Sequence, residues 1–241
     1  MMKKRNFFVL LLLLFCILPN TRAQEGWYFI GGYQVTRMQP NTAINRLLYS
    51  FNQRSTTTQA TDLLHEMRGI VIGYGGSGDL GGIDMIWDRK KADLGTYEDQ
   101  SRGWSESIRI QNNSFRMMPY LNIVPANALQ VSLGLSLDVS TFKTKRYQGN
   151  TGRWVLEPGG FLGGFNPTVN SSLFMHFTLW AGPVGLRLTP YAQLPWYYDH
   201  FDGLVFATEF YGPIEGALAA DQLQYLANYG VQGQILIYLG E

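Results

Sequence analysis

The chain has 241 residues, of which 46% are hydrophobic, 14% aromatic and only 15% charged, and its formal net charge is +1. These values exclude a disordered chain, which needs high charge and few aromatic residues. The balanced charge gives no electrostatic case for binding nucleic acid, and the single cysteine, Cys16, excludes a disulfide-stabilised scaffold.

The first predicted element is a signal peptide. Three basic residues at 3–5 precede an apolar run from Phe7 to Leu18, which is too short to span a membrane as a helix. Small residues at Thr21 and Ala23 predict cleavage after Ala23. Removal of 1–23 takes away four basic residues and no acidic ones, so the net charge of the remaining domain, 24–241, would change from +1 to −3.

Most of the remaining chain is predicted to form β-strands, because apolar and polar residues alternate with a period of two. In the segment from Leu129 to Val139 every odd position is apolar and every even position is small or polar. Segments with the same pattern, some of them less regular, lie at 27–38, 67–75, 80–89, 115–123, 173–181, 184–194 and 231–239. The fourth strand could begin as early as Trp104, and a change in the alternation near Gln111–Ser114 predicts a bulge there.

The connections between the eight predicted strands indicate the architecture. Short turns at 76–79, 125–127 and 182–183 alternate with long connections at 38–65, about 90–103, 144–170 and 198–229. This alternation is typical of an all-β fold, an eight-stranded antiparallel transmembrane β-barrel with short periplasmic turns and long outer loops. A soluble β-sandwich or lipocalin-like barrel is disfavoured, because the less apolar face carries few charges. A ten-stranded alternative would divide 104–124 at Asn112–Asn113, but it would break the alternation.

The strand pattern also predicts a polar network in the lumen of this barrel. Its members carry charges of both signs or a titratable ring: Asp84, Arg116, Asp138, His176 and Arg187. An eight-stranded barrel is just wide enough for side chains to fill it, and charges buried there must pair. Symmetry about the turn 182–183 places Thr178 opposite Arg187, so we expect Arg187 to reach Asp84 across the lumen.

Symmetry about the turn at 125–127 predicts the partner of the second lumenal arginine. It places Ser136 opposite Arg116 and leaves Asp138 on the diagonal, within reach of a long arginine side chain. We therefore expect an ion pair between Arg116 and Asp138.

The outer loops hold the remaining candidates for chemistry. Asp199, His200 and Asp202 follow the seventh strand, and an acid–histidine pair in that loop could activate water or bind a divalent cation. The run from Gly73 to Gly78 matches G-x-G-x-x-G, but a strand follows it, so a hairpin turn is predicted rather than a dinucleotide site. The sequence predicts no catalytic residue, metal site or cofactor.

Two loops have helical patterns. Asn41 can cap a helix whose apolar face has i, i+3, i+4, i+7 spacing, namely Ile44, Leu47, Leu48 and Phe51. Pro213 can begin a second helix over Ile214–Asn228. Such helices could cover the barrel mouth, lie on the membrane surface or dock a partner.

Over residues 24–241 this pattern resembles the small outer-membrane β-barrel family of the OmpA-barrel and OmpX type. The resemblance implies a place in the bacterial outer membrane, with outer-membrane lipid as one partner and an envelope or extracellular protein, bound through the outer loops, as another. Family members often end in an aromatic residue, whereas this chain ends Leu239-Gly240-Glu241. The predicted function is a structural or interaction module of the envelope. The alternatives are a narrow channel for small polar or amphipathic solutes and a surface hydrolase.

Overall fold

The computed structural model describes residues 26–38, 43–53, 60–99, 104–125, 129–148, 151–156, 167–195 and 228–240. The predicted signal peptide, 1–23, lies outside the described residues. So does the helix predicted after Pro213, except for its last residue, Asn228, which belongs to a strand.

The described residues form eight long strands, one short strand and one helix. The strands are β1 (Gly26–Met38), β2 (Glu66–Ser77), β3 (Gly81–Asp99), β4 (Trp104–Pro125), β5 (Leu129–Gln148), β6 (Arg153–Leu156), β7 (Pro167–Ala181), β8 (Val184–Pro195) and β9 (Asn228–Gly240). The helix, α1 (Ala43–Asn52), lies between β1 and β2. None of the described helical residues belongs to a helix long and apolar enough to cross a membrane.

The eight long strands close into an antiparallel barrel, which confirms the predicted fold class. Each pairs with its neighbours in chain order, and β1 pairs with β9 to complete the wall. The cross-strand partners of Tyr33, followed through β2, β3 and β4, lead to Thr141 of β5. Followed through β9, β8 and β7, they lead to Val131 of the same strand. The offset from Val131 to Thr141 shows that the strands are strongly tilted against the barrel axis.

The ten-stranded alternative is wrong, because β4 runs without a break through Asn112 and Asn113. Both asparagines pair with β3 on one side and with β5 on the other. The short strand β6 does not enlarge the barrel, since it pairs only with Lys145–Gln148 at the end of β5.

The wall has an apolar exterior over a polar interior. On β5, for example, Leu135 is 56% exposed whereas the adjacent Ser136 is 4% exposed. Large apolar side chains cover the outside of every long strand, and the buried positions between them are mainly polar. This is the inverse of a water-soluble barrel, so the soluble alternative is wrong. Because closure leaves no sheet edge unpaired, the wall suits hydrocarbon.

The two ends of the barrel differ. The turn end carries the short connections at 78–80, 126–128 and 182–183, and the loop end carries α1, β6 and the long connections. At the turn end Gly182 has φ +59°, a conformation that favours glycine. Aromatic side chains, among them Trp27, Phe29 and Tyr74, are exposed on the outer wall toward this end, as in the aromatic girdles of membrane barrels.

Toward the loop end β3, β4 and β5 continue beyond the apolar exterior, and their polarity reverses. On β4 the outward positions change from exposed Phe115 to Asn113 and Gln111, while the inward side chains of Ile110 and Ile108 are buried and apolar. The change near Gln111–Ser114 therefore marks where the strand leaves the lipid. The predicted bulge is wrong, because both ladders keep their register through this segment.

The same extension corrects the predicted connections. β3 continues to Asp99 and β4 begins at Trp104, so only 100–103 separates them, whereas the sequence predicted a long loop over about 90–103. β5 likewise continues to Gln148. Outward polar side chains interrupted the alternation that marks membrane strands, although the sheet itself continues.

The helix α1 packs against the inner face of this extension. Its four apolar residues Ile44, Leu47, Leu48 and Phe51 are all buried, in a cluster that includes Leu64, Met67, Leu94, Ile108 and Ile110. Its polar residue Asn45 holds the chain after the helix, since its amide donates to the Leu64 carbonyl at 2.9 Å and accepts from the Leu64 amide at 2.7 Å. The predicted cap, Asn41, lies outside the described residues.

Candidate functional site

The lower level of the lumen, near the turn end, is organised around Asp84 on β3. The Arg187 Nη1 on β8 lies 2.5 Å from Asp84 Oδ2, and the Tyr28 hydroxyl donates to Asp84 Oδ1 at 2.6 Å. Arg187 also donates through Nε to Thr178 Oγ1 at 2.9 Å, and Thr178 is its direct cross-strand partner. All four side chains are buried. The structure thus joins β1, β3, β7 and β8 through one carboxylate.

His176 completes this level as a fully buried ring. Its Nδ1 lies 2.8 Å from Thr189 Oγ1 and its Nε2 lies 3.5 Å from Asp84 Oδ2. The ring contacts Tyr120 edge-on, at 5.1 Å between centroids, and Phe174 at 4.6 Å. With both nitrogens beside protein atoms and two aromatic rings in contact with it, the fully buried ring is enclosed by the packing of the lumen.

The upper level is organised around Arg116 on β4. Its Nε lies 2.8 Å from Asp88 Oδ2 and 4.0 Å from Asp138 Oδ2. Asp138 in turn accepts a hydrogen bond of 2.7 Å from Ser172 Oγ. The ring of Tyr191 lies 4.8 Å from the guanidinium carbon of Arg116. Arg116 therefore lies between two carboxylates and beside an aromatic face.

The register between β4 and β5 differs from the predicted one. Arg116 pairs directly with Asp138, so Ser136 does not face it. The pair nearest the turn is Pro125 with Gln130, so the connection between the two strands is longer than the predicted turn at 125–127. An irregularity between Asn122 and Val124 then shifts the register a second time. The shift keeps the inward residues inward, since it amounts to two residues overall.

Three members of the lumenal network were missed in the sequence. Asp88 lies four residues after Asp84 on the same face of β3, so the alternation carried a signal for it. Tyr28 and Tyr120, whose hydroxyls lie 2.8 Å apart, are also inward residues of their strands. They were overlooked because tyrosines near strand ends are equally typical of the outer aromatic girdle.

Side chains fill the lumen. The lower level includes large buried rings, among them Trp180, Tyr28 and Phe174, and Trp180 Nε1 donates to Gln130 Oε1 at 3.3 Å. A largely enclosed space at the upper level, lined in part by Lys90, measures about 10 Å³. This is close to the minimum volume that holds a single water molecule.

The loop candidates Asp199, His200 and Asp202 lie outside the described residues. Within the part of the chain that the structure describes, no group of three or more histidine, cysteine or acidic side chains is arranged to hold a metal ion. The G-x-G-x-x-G segment, Gly73–Gly78, lies in β2 and its turn into β3, so no helix follows it to receive a pyrophosphate.

The outer surface beyond the apolar exterior is basic on one side. Among the side chains that the structure describes, the outward positions of β1 to β5 at the loop end carry seven cations, Arg37, Arg68, Arg89, Lys91, Arg109, Lys143 and Lys145, and two acids, Glu66 and Asp93. Burial, together with the neighbouring cations Arg89, Lys143 and Arg109, lowers the pKa of Lys145. These cations therefore lie close enough to repel one another.

The barrel exterior also has a shallow depression of about 980 Å³ across β1, β9, β8 and β7. It lies where Gly31 and Gly233 face outward without side chains, and a Cβ at either position would meet no atom within 4 Å. Its lining includes Phe29, Leu186 and Ile235. Because it belongs to the apolar exterior, lipid chains are its ordinary contents.

Comparison with known proteins gives similarity in structure alone. No protein-family model matches the sequence, and no curated protein matches it. The structure is similar to Ail, the attachment invasion locus protein of Yersinia pestis, which was solved in complex with the heparin analogue sucrose octasulfate. The two share 12% sequence identity and a TM-score of 0.44, over 89% of this chain and 99% of that one. It is also similar to the outer membrane protein OprG from Pseudomonas aeruginosa, at 9% identity and a TM-score of 0.34 over 90% and 94%.

The structure of the barrel wall defines the class of this protein. Eight antiparallel strands close completely, their exterior is apolar and their interior is mainly polar. A closed barrel of this kind is the form in which β-strands span the bacterial outer membrane. The chain is therefore an eight-stranded outer-membrane β-barrel, as the sequence predicted.

Proposed function

We propose that this barrel is a closed structural and interaction module of the outer membrane, which acts through its outer surface. The observation that carries the proposal is the filled lumen, in which Arg116 and Arg187 are paired with carboxylates from other strands. A solute passing through would have to separate these pairs, and breaking a buried pair costs about 3–5 kcal/mol.

The mouth supports the same proposal. Above the Arg116 level, α1 places Leu47 and Leu48 in an apolar cluster with Ile108 and Ile110. A hydrated ion entering from the loop end would meet this cluster before reaching the polar level. Apolar packing over paired charges is an arrangement for rigidity rather than for conduction.

The orientation follows from the type of barrel. Outer-membrane barrels have short periplasmic turns and longer extracellular loops, so the loop end faces outward. Partners in the medium or on a neighbouring cell would then meet α1, β6 and the long connections. The proposal includes export by the predicted signal peptide, 1–23, which N-terminal sequencing of the protein from membranes would test.

Conductance tests the proposal directly. The purified protein in a planar lipid bilayer is expected to show negligible ion current, with a known open porin as the positive control. Arg116→Ala combined with Asp138→Ala removes two charges from the upper level and is expected to increase the current relative to the unmodified protein. A steady ohmic current from the unmodified protein would contradict the closed module.

A steady ohmic current from the unmodified protein would favour the second candidate, a narrow channel for small polar or amphipathic solutes. One observation supports this candidate, which is that the lumen carries charges of both signs at two levels. Liposome swelling with small sugars and amino acids would then identify the solute class, and Arg187→Ala would be expected to change its charge preference.

A further inference from the structure

The cations on the outer wall are concentrated where the strands leave the lipid. On β3 the exposed Trp87 is followed on the same face by Arg89 and then Lys91, and on β2 the exposed Ile70 is followed by Arg68. On these two strands, two residues, about 7 Å along a strand, separate the last exposed apolar side chain from the first cation. Lys91 lies four residues beyond Trp87, and on β5 Lys143 lies four residues beyond the exposed Val139. Outward side chains of a barrel wall project sideways, and the layer next to the apolar exterior of a membrane barrel is the headgroup layer.

The distribution of these cations is one-sided. The described outward positions of β7, β8 and β9 toward the loop end are uncharged, among them Val169 and Ser171 on β7, Leu194 on β8 and Tyr229 on β9. A general device for anchoring a barrel at the membrane boundary would be expected around the whole rim. Within the described part of the wall, the outward charge at the loop end therefore lies on β1–β5, which indicates a particular contact.

Neighbouring acids neutralise only part of this charge. Glu66 pairs with Arg68, and Asp93 pairs with Arg109. Among the side chains that the structure describes, four of these cations form no ion pair with an acid: Arg89, Lys91, Lys143 and Lys145. The Arg89 Nη2 donates at 2.9 Å to the neutral Gln111 Oε1. We call these four residues the basic face.

The sheet register brings the basic face together. Lys91 and Lys143 are the partners of Gln111 on its two sides, so their backbones lie two strand spacings, about 10 Å, apart. Arg89 and Lys145 are each two residues from one of these lysines on the same outward face. Flexible side chains at these four positions can converge on an object about 10 Å wide that carries two or more negative charges.

We propose that the basic face binds the phosphate groups of an anionic lipid headgroup in the leaflet at the loop end. This deepens the proposed function, because it names lipid phosphate as one partner of the outer surface. Arginine binds phosphate through a planar fork and lysine binds it as a point charge. The sideways direction of the cations, and the place of Arg89 directly beyond the apolar exterior, favour a membrane lipid over a soluble polyanion.

The test uses the purified full-length mature protein in neutral detergent micelles, with diphosphorylated lipid A as the probe and phosphatidylcholine as the uncharged control. Thermophoresis gives the dissociation constant at low and at high salt. A variant with R89Q, K91Q, K143Q and K145Q removes the charges, and a matched variant with R89K, K91R, K143R and K145R keeps them. Heparin and inorganic phosphate, measured in the same way, are the soluble anions.

The charge-removing variant is expected to lose at least about tenfold in affinity for lipid A, whereas the charge-preserving variant stays within about threefold. Binding should weaken with salt, because these charges are at the surface. Unchanged affinity in the charge-removing variant would overturn the proposal. So would tight binding of heparin through the same four residues with no preference for lipid A.

Folding is checked by circular dichroism, and the conductance of each variant is measured as well. If the fourfold variant does not fold, Lys91→Gln and Lys143→Gln, each at an outward position of the wall, give the same comparison singly, with about threefold weaker binding expected for each. Conductance stays negligible in all of these variants if the module is closed. A failure of lipid binding is therefore distinguishable from a failure of the closed-lumen proposal.

Discussion

Arg116 and Asp138 face each other directly across β4 and β5, yet the guanidinium lies closer to Asp88 on β3. The distance from Arg116 Nε is 2.8 Å to Asp88 Oδ2 and 4.0 Å to Asp138 Oδ2. Asp138 accepts a hydrogen bond from Ser172, which stabilises part of the charge on the Asp138 carboxylate. Asp88 is therefore the main counter-charge of the upper lumen, and Asp138 is the second.

This ranking predicts that Asp88→Asn destabilises the barrel more than Asp138→Asn. Both substitutions keep the shape of the side chain and remove its charge. Loss of the closer partner is expected to cost about 3–5 kcal/mol if the site is dry, and less if water enters. Urea unfolding in micelles, followed by tryptophan fluorescence, measures both values. Equal losses, or a larger loss for Asp138→Asn, would contradict the ranking.

A second prediction concerns the lower lumen, where the Tyr28 hydroxyl donates to Asp84 and also lies 2.8 Å from the Tyr120 hydroxyl. Tyr28→Phe removes a hydrogen bond to a charged group and is expected to cost about 1.5–3 kcal/mol. Tyr74→Phe is the matched control, because Tyr74 lies on the exposed outer face and its hydroxyl contacts only Met85 Sδ among the contacts described. Similar unfolding midpoints for the two variants would argue against a lumenal network centred on Asp84.

Within the membrane the alternation of the sequence was sufficient to predict the fold. Side chains on one strand face must meet lipid and those on the other must meet the lumen, so a period of two is imposed on each strand. The pairing of Thr178 with Arg187 followed from a two-residue turn, which leaves little freedom of register. The contact between Arg187 and Asp84 followed in turn, because each needed a partner of opposite charge at a similar height.

Outside the membrane the same reasoning failed. Beyond Phe115 the exterior of β4 becomes polar while Ile110 and Ile108 turn inward toward α1, so the pattern changes although the strand does not end. The β5 residue directly opposite Arg116 was predicted wrongly, because the register between β4 and β5 depends on an irregularity between Asn122 and Val124. The overall shift of two residues changes which side chains are opposite each other without changing which face is apolar.

A third prediction tests the apolar exterior. Leu133 is 39% exposed on the outer face of β5, where an arginine near the middle of the bilayer costs about 2–4 kcal/mol. Leu133→Arg is therefore expected to reduce the yield of assembled barrel and its resistance to urea. Leu133→Ala, which shortens the side chain without adding charge, is expected to assemble. If both variants assemble and unfold alike, the orientation assigned to β5 is wrong.

A fourth prediction tests the orientation of the barrel. Cysteines at Arg46 on α1 and at Thr151 beside β6 are expected to react with a membrane-impermeant reagent on intact cells. Cysteines at Asp79 and Pro183, in the short turns, should react only after the outer membrane is opened. Since Cys16 lies in the predicted signal peptide and is the only cysteine of the sequence, the unmodified protein is the control for background labelling. Labelling at Asp79 on intact cells would invert the orientation.

The last prediction separates the helix over the mouth from the charges beneath it. Asn45 makes two hydrogen bonds to the backbone of Leu64, and both are buried. Asn45→Ala leaves a buried amide and a buried carbonyl without this partner, which costs about 1–3 kcal/mol for each group. The helix α1 is therefore expected to loosen, and its amides should exchange with deuterium faster in hydrogen-exchange mass spectrometry.

Arg46→Ala is the control for this experiment, because Arg46 is the exposed neighbour of Asn45 on the same helix and its loss should leave exchange nearly unchanged. Conductance should stay negligible in Asn45→Ala, since the ion pairs of Arg116 and Arg187 still fill the lumen. A current that appears when α1 loosens would show that the helix, rather than the lumenal charges, closes the barrel. Such a current would also give the long first loop a gating role, and the narrow-channel candidate would then be the better account.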